Sequence, residues 1–223
     1  MLHHESIFAH LAEPELYPEL TKLRHLISQW RFYHHFDIAL DSPLRSPQPA
    51  IRTPILSHDG QDLAAAFATI VDIGDDIFLH EILTHAFPGA HFHVEKSDVG
   101  LEIMMTREGL RRPLRARELS DGTLRFLCLT VALLSPRPAP LVVLNEPESS
   151  LHQDMLPSLG KLICEASRHS QLWVTTHSPI LAQMIEAHAP CNKIHLKMIN
   201  GETCLHESIS REWLFKEDID DFR

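Results

Sequence analysis

The sequence lacks several features that would indicate a membrane, secreted or nucleic-acid-coating protein. No apolar run reaches the roughly 18 residues that a membrane-spanning helix needs, so we expect no such helix. The first residues, Met1 to Glu5, contain no basic stretch followed by an apolar one, so no secretory signal is predicted. Basic residues are few, since 20 Lys and Arg stand against 30 Asp and Glu. The resulting net charge of -10 does not favour broad attraction to nucleic acid or anionic membranes.

Cysteine is also scarce, and its spacing excludes a paired Cys-x-x-Cys site. The four cysteines are isolated from one another in the sequence: Cys128, Cys164, Cys191 and Cys204. Unpaired thiols of this kind are typical of a reduced compartment, and we therefore predict a cytoplasmic protein. The composition, 44% hydrophobic and 22% charged, is that of an ordinary soluble chain with enough apolar material for one sizeable core.

The first informative segment is Leu119–Thr123, where an apolar helix is predicted to begin. Ser120 is a favourable N-cap, and Asp121 suits the first turn because the helix dipole favours negative charge there. Gly122 allows another group to approach the backbone closely. The free N–H groups of such a helix start form an anion site, although an ordinary capped core helix shows the same pattern.

Two further apolar segments end in polar residues and predict neighbouring parallel strands. Leu141–Leu144 is a short continuous apolar run, typical of a strand covered on both faces, and Asn145 and Glu146 follow it directly. A second apolar run, 172–176, ends at His177. Ligands of open α/β sheets bind beyond the carboxyl ends of the strands. A carboxylate, an amide and an imidazole are therefore expected to meet at one sheet edge.

These segments, in this order, resemble the ATP-binding-cassette class of ATPases, and within it the RecF-like, SMC-like and AAA_21-type ATPases rather than transporters. Residues 119–123 resemble the signature loop, and residues 141–146 resemble Walker B with the catalytic glutamate. Residues 149–152 resemble the D-loop, and His177 resembles the switch histidine. The resemblance covers about residues 55–205.

The resemblance implies an α/β fold, a partial P-loop NTPase head with a mostly parallel sheet flanked by helices and a C-terminal β-hairpin. It also implies ATP and Mg²⁺ as cofactors and water attack on the γ-phosphate. Glu146 would position or deprotonate the water, and His177 would hydrogen-bond the γ-phosphate. Asn145 stands where the family usually has an aspartate that supports Mg²⁺. Because asparagine offers a neutral oxygen, weaker metal affinity or slower turnover is expected.

The resemblance further implies that two heads sandwich two ATP molecules. Ser120, Asp121 and Gly122 would contact the γ-phosphate of a nucleotide bound by a second head. Ser150 and His152 would line the interface between the heads and relay between the two sites. The expected partner is a second copy of this chain or a missing N-terminal half. The relatives serve in DNA repair, chromosome handling and phage defence, and the sequence does not decide whether DNA is bound.

One large part of the resembled site is missing from the sequence. The Walker A phosphate loop requires Gly-x-x-x-x-Gly-Lys-Ser/Thr, and of the eight glycines Gly160 alone is followed by lysine. Leu162 then occupies the Ser/Thr position. The chain therefore resembles the C-terminal half of a head, and we expect it to bind ATP poorly alone. Strand edges are expected to be open where the missing half would pair.

The sequence predicts three regions along the chain. Residues 1–50 are read as a helical segment, helical to about residue 37, followed by a proline-rich connector. Residues 51–208 form the C-terminal part of the ATPase domain, and 209–223 an acidic tail. Within the second region, Asn200-Gly201 predicts a hairpin turn.

Three other sequence features admit competing interpretations. The aromatic residues between Trp30 and Phe36 form either a nucleic-acid surface or an edge of the core. The arginine cluster from Arg107 to Arg117 is either a phosphate or DNA contact or a solvated face. The hairpin would place His195 opposite His206 and near Cys204, which suggests a zinc site or a plain polar face.

Three functions therefore remain after the sequence alone. The chain is an ATPase half, a non-catalytic remnant that serves as a binding or regulatory module, or a histidine-rich metal enzyme.

Overall fold

The computed structural model describes residues 13–205, which form helices and strands close to those expected from the sequence. The described α-helices are α1 Pro18–Ser28, α2 Leu63–Ile73, α3 Asp76–Ala86, α4 Asp121–Leu133, α5 Leu156–Ala166 and α6 Pro179–His188. The described strands are β1 Arg31–Tyr33, β2 Ala90–Ser97, β3 Gly100–Arg107, β4 Leu114–Arg115, β5 Leu141–Asn145, β6 Gln171–Thr175, β7 Leu196–Ile199 and β8 Glu202–Leu205. Short 3-10 helices lie at Pro43–Arg45, Ala116–Glu118 and Gln153–Met155.

The element that carries the predicted site is a parallel sheet with strand order β1-β5-β6. β5 is the central strand and pairs in parallel with both neighbours, so the carboxyl ends of β5 and β6 lie side by side. The α/β fold with a parallel sheet flanked by helices is therefore confirmed. A second, antiparallel sheet has the order β2-β3-β4.

The strand β1 is a correction to the sequence interpretation, which treated residues 1–37 as helical. Helix α1 ends at Ser28, and Arg31–Tyr33 joins the sheet beside β5. Three residues are too few to show a period, and the hydrogen-bonding partner of this strand lies more than a hundred positions away in the sequence. Tyr33 and Phe36 are buried in the core, which favours the core-edge interpretation for these two aromatic residues.

The two faces of the parallel sheet differ sharply in their exposure. Tyr33, Val142 and Leu144 point to the buried core. On the opposite face, Phe32 and Trp173 lie on either side of Val143, so the three side chains form one row across the three strands. Phe32 is 40% exposed and Trp173 is 63% exposed. The sequence predicted β5 to be covered on both faces, as is usual in parallel sheets, but in the structure one face is open.

Helix α4 is the buried helix that the sequence predicted after Ser120. The Ser120 hydroxyl oxygen accepts a hydrogen bond from the Thr123 N–H at 3.2 Å, as expected of an N-cap. From Leu124 to Leu133 every residue of the helix is buried. The burial of these residues therefore holds the N-terminal turn of the helix in a fixed position.

The chain divides into two compact units, with the boundary between Ala189 and Pro190. The second unit contains the hairpin β7-β8, in which Ile199 pairs with Glu202 as predicted. Asn200 and Gly201 have φ values of 52° and 86°, the left-handed conformations that a tight hairpin turn of this sequence requires.

The predicted division at residues 50 and 208 stays a prediction, and the expected acidic tail lies outside the described residues. Among the residues described, no helix is both long and apolar enough to cross a membrane.

Candidate active site

The carboxyl ends of β5 and β6 bring the predicted carboxylate and imidazole together. The His177 Nε2 atom lies 3.2 Å from the Glu146 Oε1 atom. Both side chains remain open to solvent, His177 being 88% exposed and Glu146 43%. The sequence-predicted convergence of these two groups is therefore present in the fold, and the pair is accessible to a ligand.

Asn145 lies beside this pair and is held by a residue that the sequence did not single out. The Thr175 hydroxyl donates a hydrogen bond of 2.7 Å to the Asn145 Oδ1 atom. This bond fixes the orientation of the amide and leaves a second lone pair on the oxygen available. Asn145 is exposed and directly precedes Glu146 at the end of β5.

The backbone of Glu146 has a conformation that is uncommon for residues other than glycine. Its φ of 44° lies in the left-handed region. Two hydrogen bonds between backbone groups hold it there. The Glu146 N–H donates to the Thr175 carbonyl oxygen at 2.9 Å, and the Ser149 N–H donates to the Glu146 carbonyl oxygen at 3.0 Å. Such conformations cost about 1–3 kcal/mol and concentrate at functional sites. The strained residue here is the predicted catalytic one.

Glu148, which sequence reasoning missed, joins the β5 loop to the β6 loop. Its Oε1 atom accepts hydrogen bonds from the Thr176 hydroxyl at 2.5 Å, the His177 N–H at 2.9 Å and the Ser178 N–H at 3.1 Å. These N–H groups lead into helix α6, whose N-cap is Ser178. One carboxylate oxygen therefore fixes the backbone that carries the His177 imidazole.

Arg125 reaches the same loop from helix α4. Its Nη2 atom donates a hydrogen bond of 3.1 Å to the backbone oxygen of Glu146. Burial lowers the pKa of the Arg125 guanidinium, an effect opposed by the nearby carboxylates of Glu148 and Glu146. A single arginine in an otherwise apolar helix is a sequence signal for a specific buried partner, because a buried charge without a partner is costly.

The predicted signature and D-loop residues contact one another within this chain. A Cβ atom built on Gly122 would lie 2.7 Å from the backbone oxygen of Ser150. The close approach predicted for Gly122 is therefore made, and the approaching group is the Ser150 carbonyl. Ser150 itself has a left-handed φ of 64°. The start of helix α4 and the loop after Glu146 thus form one continuous surface.

A buried arginine outside the predicted site holds the start of helix α4. The side chain of Arg45 is 3% exposed and donates from Nη1 to the Leu119 backbone oxygen at 2.9 Å. Its Nη2 atom lies 2.5 Å from Asp121 Oδ1, and its Nε atom donates to the backbone oxygens of Ile38 and Ala39. Asp121, predicted to contact a phosphate, is therefore already paired with a cation in this conformation.

His152 lies at the far end of the D-loop and is exposed. It is the N-cap of the 3-10 helix at Gln153–Met155, where its Nδ1 atom accepts from the Asp154 N–H at 3.3 Å. The imidazole thus points away from the core and is available at a surface, which is the place that an interface residue requires.

A family model described as "AAA domain, putative AbiEii toxin, Type IV TA system" matches residues 2–182 of the chain. The chain belongs to the AAA_21 family. The resemblance recognised from the four sequence segments is therefore confirmed at the level of an ATPase-type family. No curated protein matches the sequence significantly.

Solved structures similar to this AAA_21 chain are heads of SMC ATPases. The head domain of Smc from Pyrococcus furiosus, solved with an extended coiled coil and bound to the C-terminal domain of ScpA, is 23% identical, with a TM-score of 0.50. The match covers 66% of this chain and 37% of that chain. The Smc head domain from Pyrococcus yayanosii, solved with a coiled coil and joint, is 24% identical over 65% of this chain and 28% of that chain, with a TM-score of 0.49. At 23% identity, the likeness to the Pyrococcus furiosus head concerns the fold alone.

The arginine cluster of the AAA_21 chain is partly engaged with its own carboxylates. Arg112 donates two hydrogen bonds to Glu118, at 2.8 and 2.6 Å. These bonds make the largest contribution, and the bond from the Arg115 N–H the next largest, to lowering the pKa of Glu118 to about 2. Arg115 also lies 3.6 Å from Glu102. These contacts favour the solvated-face interpretation for Arg112 and Arg115.

The zinc hypothesis for the hairpin stays a prediction. The register places Lys197 opposite Cys204, as expected, but His206 lies outside the described residues. Within residues 13–205 no group of three or more His, Cys, Asp or Glu side chains is arranged to hold a metal ion.

Proposed function

We propose that this AAA_21 protein is the ATP-hydrolysing C-terminal part of a nucleotide-binding head. The observation that carries the proposal is the 3.2 Å contact between His177 Nε2 and Glu146 Oε1 at the carboxyl ends of adjacent parallel strands. The Glu146 carboxylate accepts a proton from the attacking water, and the exposed His177 imidazole contacts the γ-phosphate. The strained backbone of Glu146 supports this assignment because strain of this kind marks working residues.

The residues at the rim are compatible with Mg²⁺ held together with ATP. Mg²⁺ keeps several waters and takes one or two protein oxygens plus phosphate oxygens. The free lone pair of Asn145 Oδ1 would supply one oxygen of this kind, and the Glu146 carboxylate would stay free to act on the water. When bound with ATP, Mg²⁺ would supply positive charge against the phosphates, and Asn145 would help to hold it through the amide oxygen.

The sequence contains no Walker A loop, so the proposal needs a second segment that supplies one. β6 is an edge strand, and the open face bearing Phe32, Val143 and Trp173 is apolar. We propose that an N-terminal half carrying Walker A, supplied by an upstream-encoded segment, pairs with β6 and covers this face. Burial of the three side chains supplies part of the binding free energy.

We further propose that two completed heads enclose ATP between them. Ser120, Ser150 and His152 are exposed at the start of helix α4 and in the D-loop, and the half-buried Gly122 lies against the Ser150 carbonyl. This surface would face the nucleotide of the partner head, so the working form is a homodimer of completed heads. The four free cysteines support a cytoplasmic location, and DNA repair or phage defence is the setting proposed from the resemblance.

A calorimetric titration with ATP and Mg²⁺ tests this proposal. The chain alone is expected to bind ATP weakly, and the chain co-purified with the upstream-encoded polypeptide is expected to bind it with micromolar or better affinity. The matched control is the same pair in which the Walker A lysine of the upstream polypeptide is replaced by alanine. Absence of ATP binding by the unaltered pair would reject the ATPase assignment.

The second candidate function is a non-catalytic binding or regulatory module. It is favoured by the absence of Walker A from the sequence and by a neutral asparagine at position 145. In that case the chain recruits a partner through its open sheet face, and nucleotide has no effect on the association. The titration separates the two functions, because a module of this kind gives no heat with ATP in either sample.

A further inference from the structure

Two oppositely charged side chains with buried polar atoms contact the backbone of the candidate catalytic pair. Arg125 is 7% exposed, and the Oε2 atom of Glu148 is buried. Within residues 13–205, the buried side-chain nitrogen and oxygen atoms without a hydrogen-bond partner are Arg125 Nε and Glu148 Oε2. Such atoms are costly in a protein interior, and their coincidence at one site calls for a functional reason.

Each of these side chains holds one member of the catalytic pair by its backbone. Arg125 Nη2 donates to the oxygen of Glu146 at 3.1 Å, whereas Glu148 Oε1 accepts from the N–H of His177 at 2.9 Å. Neither bond involves the Glu146 carboxylate or the His177 imidazole. Both working groups are therefore left exposed while their backbones are fixed.

The strained backbone of Glu146 explains why such support is needed. A left-handed residue other than glycine persists where its surroundings over-determine it. The Glu146 carbonyl accepts from the Ser149 N–H as well as from Arg125, so removal of the guanidinium removes one of the two hydrogen bonds to this carbonyl. A relaxed loop would move the carboxylate away from His177.

We propose that Glu148 and Arg125 are the positioning residues of this site, which set the distance between His177 and Glu146. The catalytic purpose of this positioning rests on the proposed function, but the positioning itself is a property of the chain alone. Glu148 acts through the loop after β6, which carries His177. Arg125 acts through the loop after β5, which carries Glu146. Because Arg125 lies on helix α4, it also ties the signature segment to the catalytic carboxylate.

Nuclear magnetic resonance on the isotope-labelled full chain tests the positioning. Glu148→Ala removes the acceptor from the His177 and Ser178 amides, so their hydrogen exchange should accelerate by about tenfold or more. Glu148→Gln keeps an acceptor oxygen and should exchange within about threefold of the wild type. Glu165→Ala is the matched control, because that glutamate pairs with Arg168 at 3.0 Å on the neighbouring helix α5.

A double-substitution cycle gives the readout that a purely structural role would not change. In the wild-type background, Glu146→Gln should shift the ring resonances of His177, since the two side chains are in contact. In the Glu148→Ala or Arg125→Met background, the same substitution should shift them by less than about one third as much. If Arg125→Met does not fold, the Glu148 variants still decide the question.

The proposal is overturned if exchange at both amides is unchanged in Glu148→Ala, or if the shift of the His177 ring persists undiminished in that background. These readouts require no nucleotide. Loss of the coupling together with absence of ATP binding would therefore reject the proposed function and retain the positioning role.

Discussion

Asn145 presents a neutral amide oxygen at the end of β5, where the resembled ATPases carry an aspartate. Replacing it with aspartate adds a negative charge beside the expected metal, worth about 1 kcal/mol or more at high dielectric. We therefore predict that Asn145→Asp lowers the Mg²⁺ concentration needed for half-maximal ATP hydrolysis by about fivefold in the completed enzyme. A titration of the hydrolysis rate with Mg²⁺ measures this.

The control for that change is Asn200→Asp, which adds the same charge in the hairpin turn and should leave the Mg²⁺ dependence unaltered. An unchanged Mg²⁺ requirement in Asn145→Asp would show that position 145 does not support the metal.

Single residues of the site were predictable to different degrees. Glu146 and His177 were found from the sequence because each directly follows an apolar strand, and parallel strands align their carboxyl ends. Glu148 was missed because its partners, the amides of His177 and Ser178, lie 29 and 30 positions away. Its role depends on how two loops fold together, which no local pattern records. Arg125 was also missed, although a lone charge in an apolar helix is a sequence signal, because its target, the Glu146 backbone oxygen, is set by the fold.

At the level of secondary-structure elements, the contact between helix α4 and the D-loop depends on Gly122. In an ordinary helix, a change from glycine to alanine stabilises by roughly 0.5–1 kcal/mol. Here the new methyl group would meet the Ser150 oxygen at 2.7 Å, so the D-loop must shift. We predict that Gly122→Ala lowers the free energy of unfolding by about 1–3 kcal/mol, as overpacking does.

Urea unfolding monitored by circular dichroism measures the effect of Gly122→Ala. The backbone amides of Ser150 and Leu151 should also change their chemical shifts, because the displaced carbonyl lies in their loop. A variant as stable as the wild type, or more stable, would mean that the D-loop does not rest on Gly122.

The elements themselves were predicted well wherever they are long and periodic. Helix α4, strand β5 and the hairpin β7-β8 lie where their apolar patterns and turn residues indicated. Strand β1 was misjudged because three residues cannot distinguish an extended from a helical period, and tertiary pairing with β5 decided the outcome. Short elements at the edge of a sheet are specified by the partner strand rather than by local sequence.

For the whole molecule, the open face of the parallel sheet is the feature that the sequence anticipated least. The absent phosphate loop predicted an incomplete site and open strand edges, but not which face would be left uncovered. The row formed by Phe32, Val143 and Trp173 places that face next to the rim carrying Glu146 and His177. The proposed phosphate-binding half would thus complete the sheet and the site together.

The most direct measurement of the central claim is ATP hydrolysis by the completed enzyme with glutamine in place of Glu146. Glu146→Gln preserves the size of the side chain and one acceptor oxygen but removes the carboxylate that accepts the proton. Hydrolysis should fall by at least about 100-fold while ATP binding is retained, whereas Glu165→Gln should hydrolyse at the wild-type rate. Hydrolysis by Glu146→Gln at the wild-type rate would contradict the account.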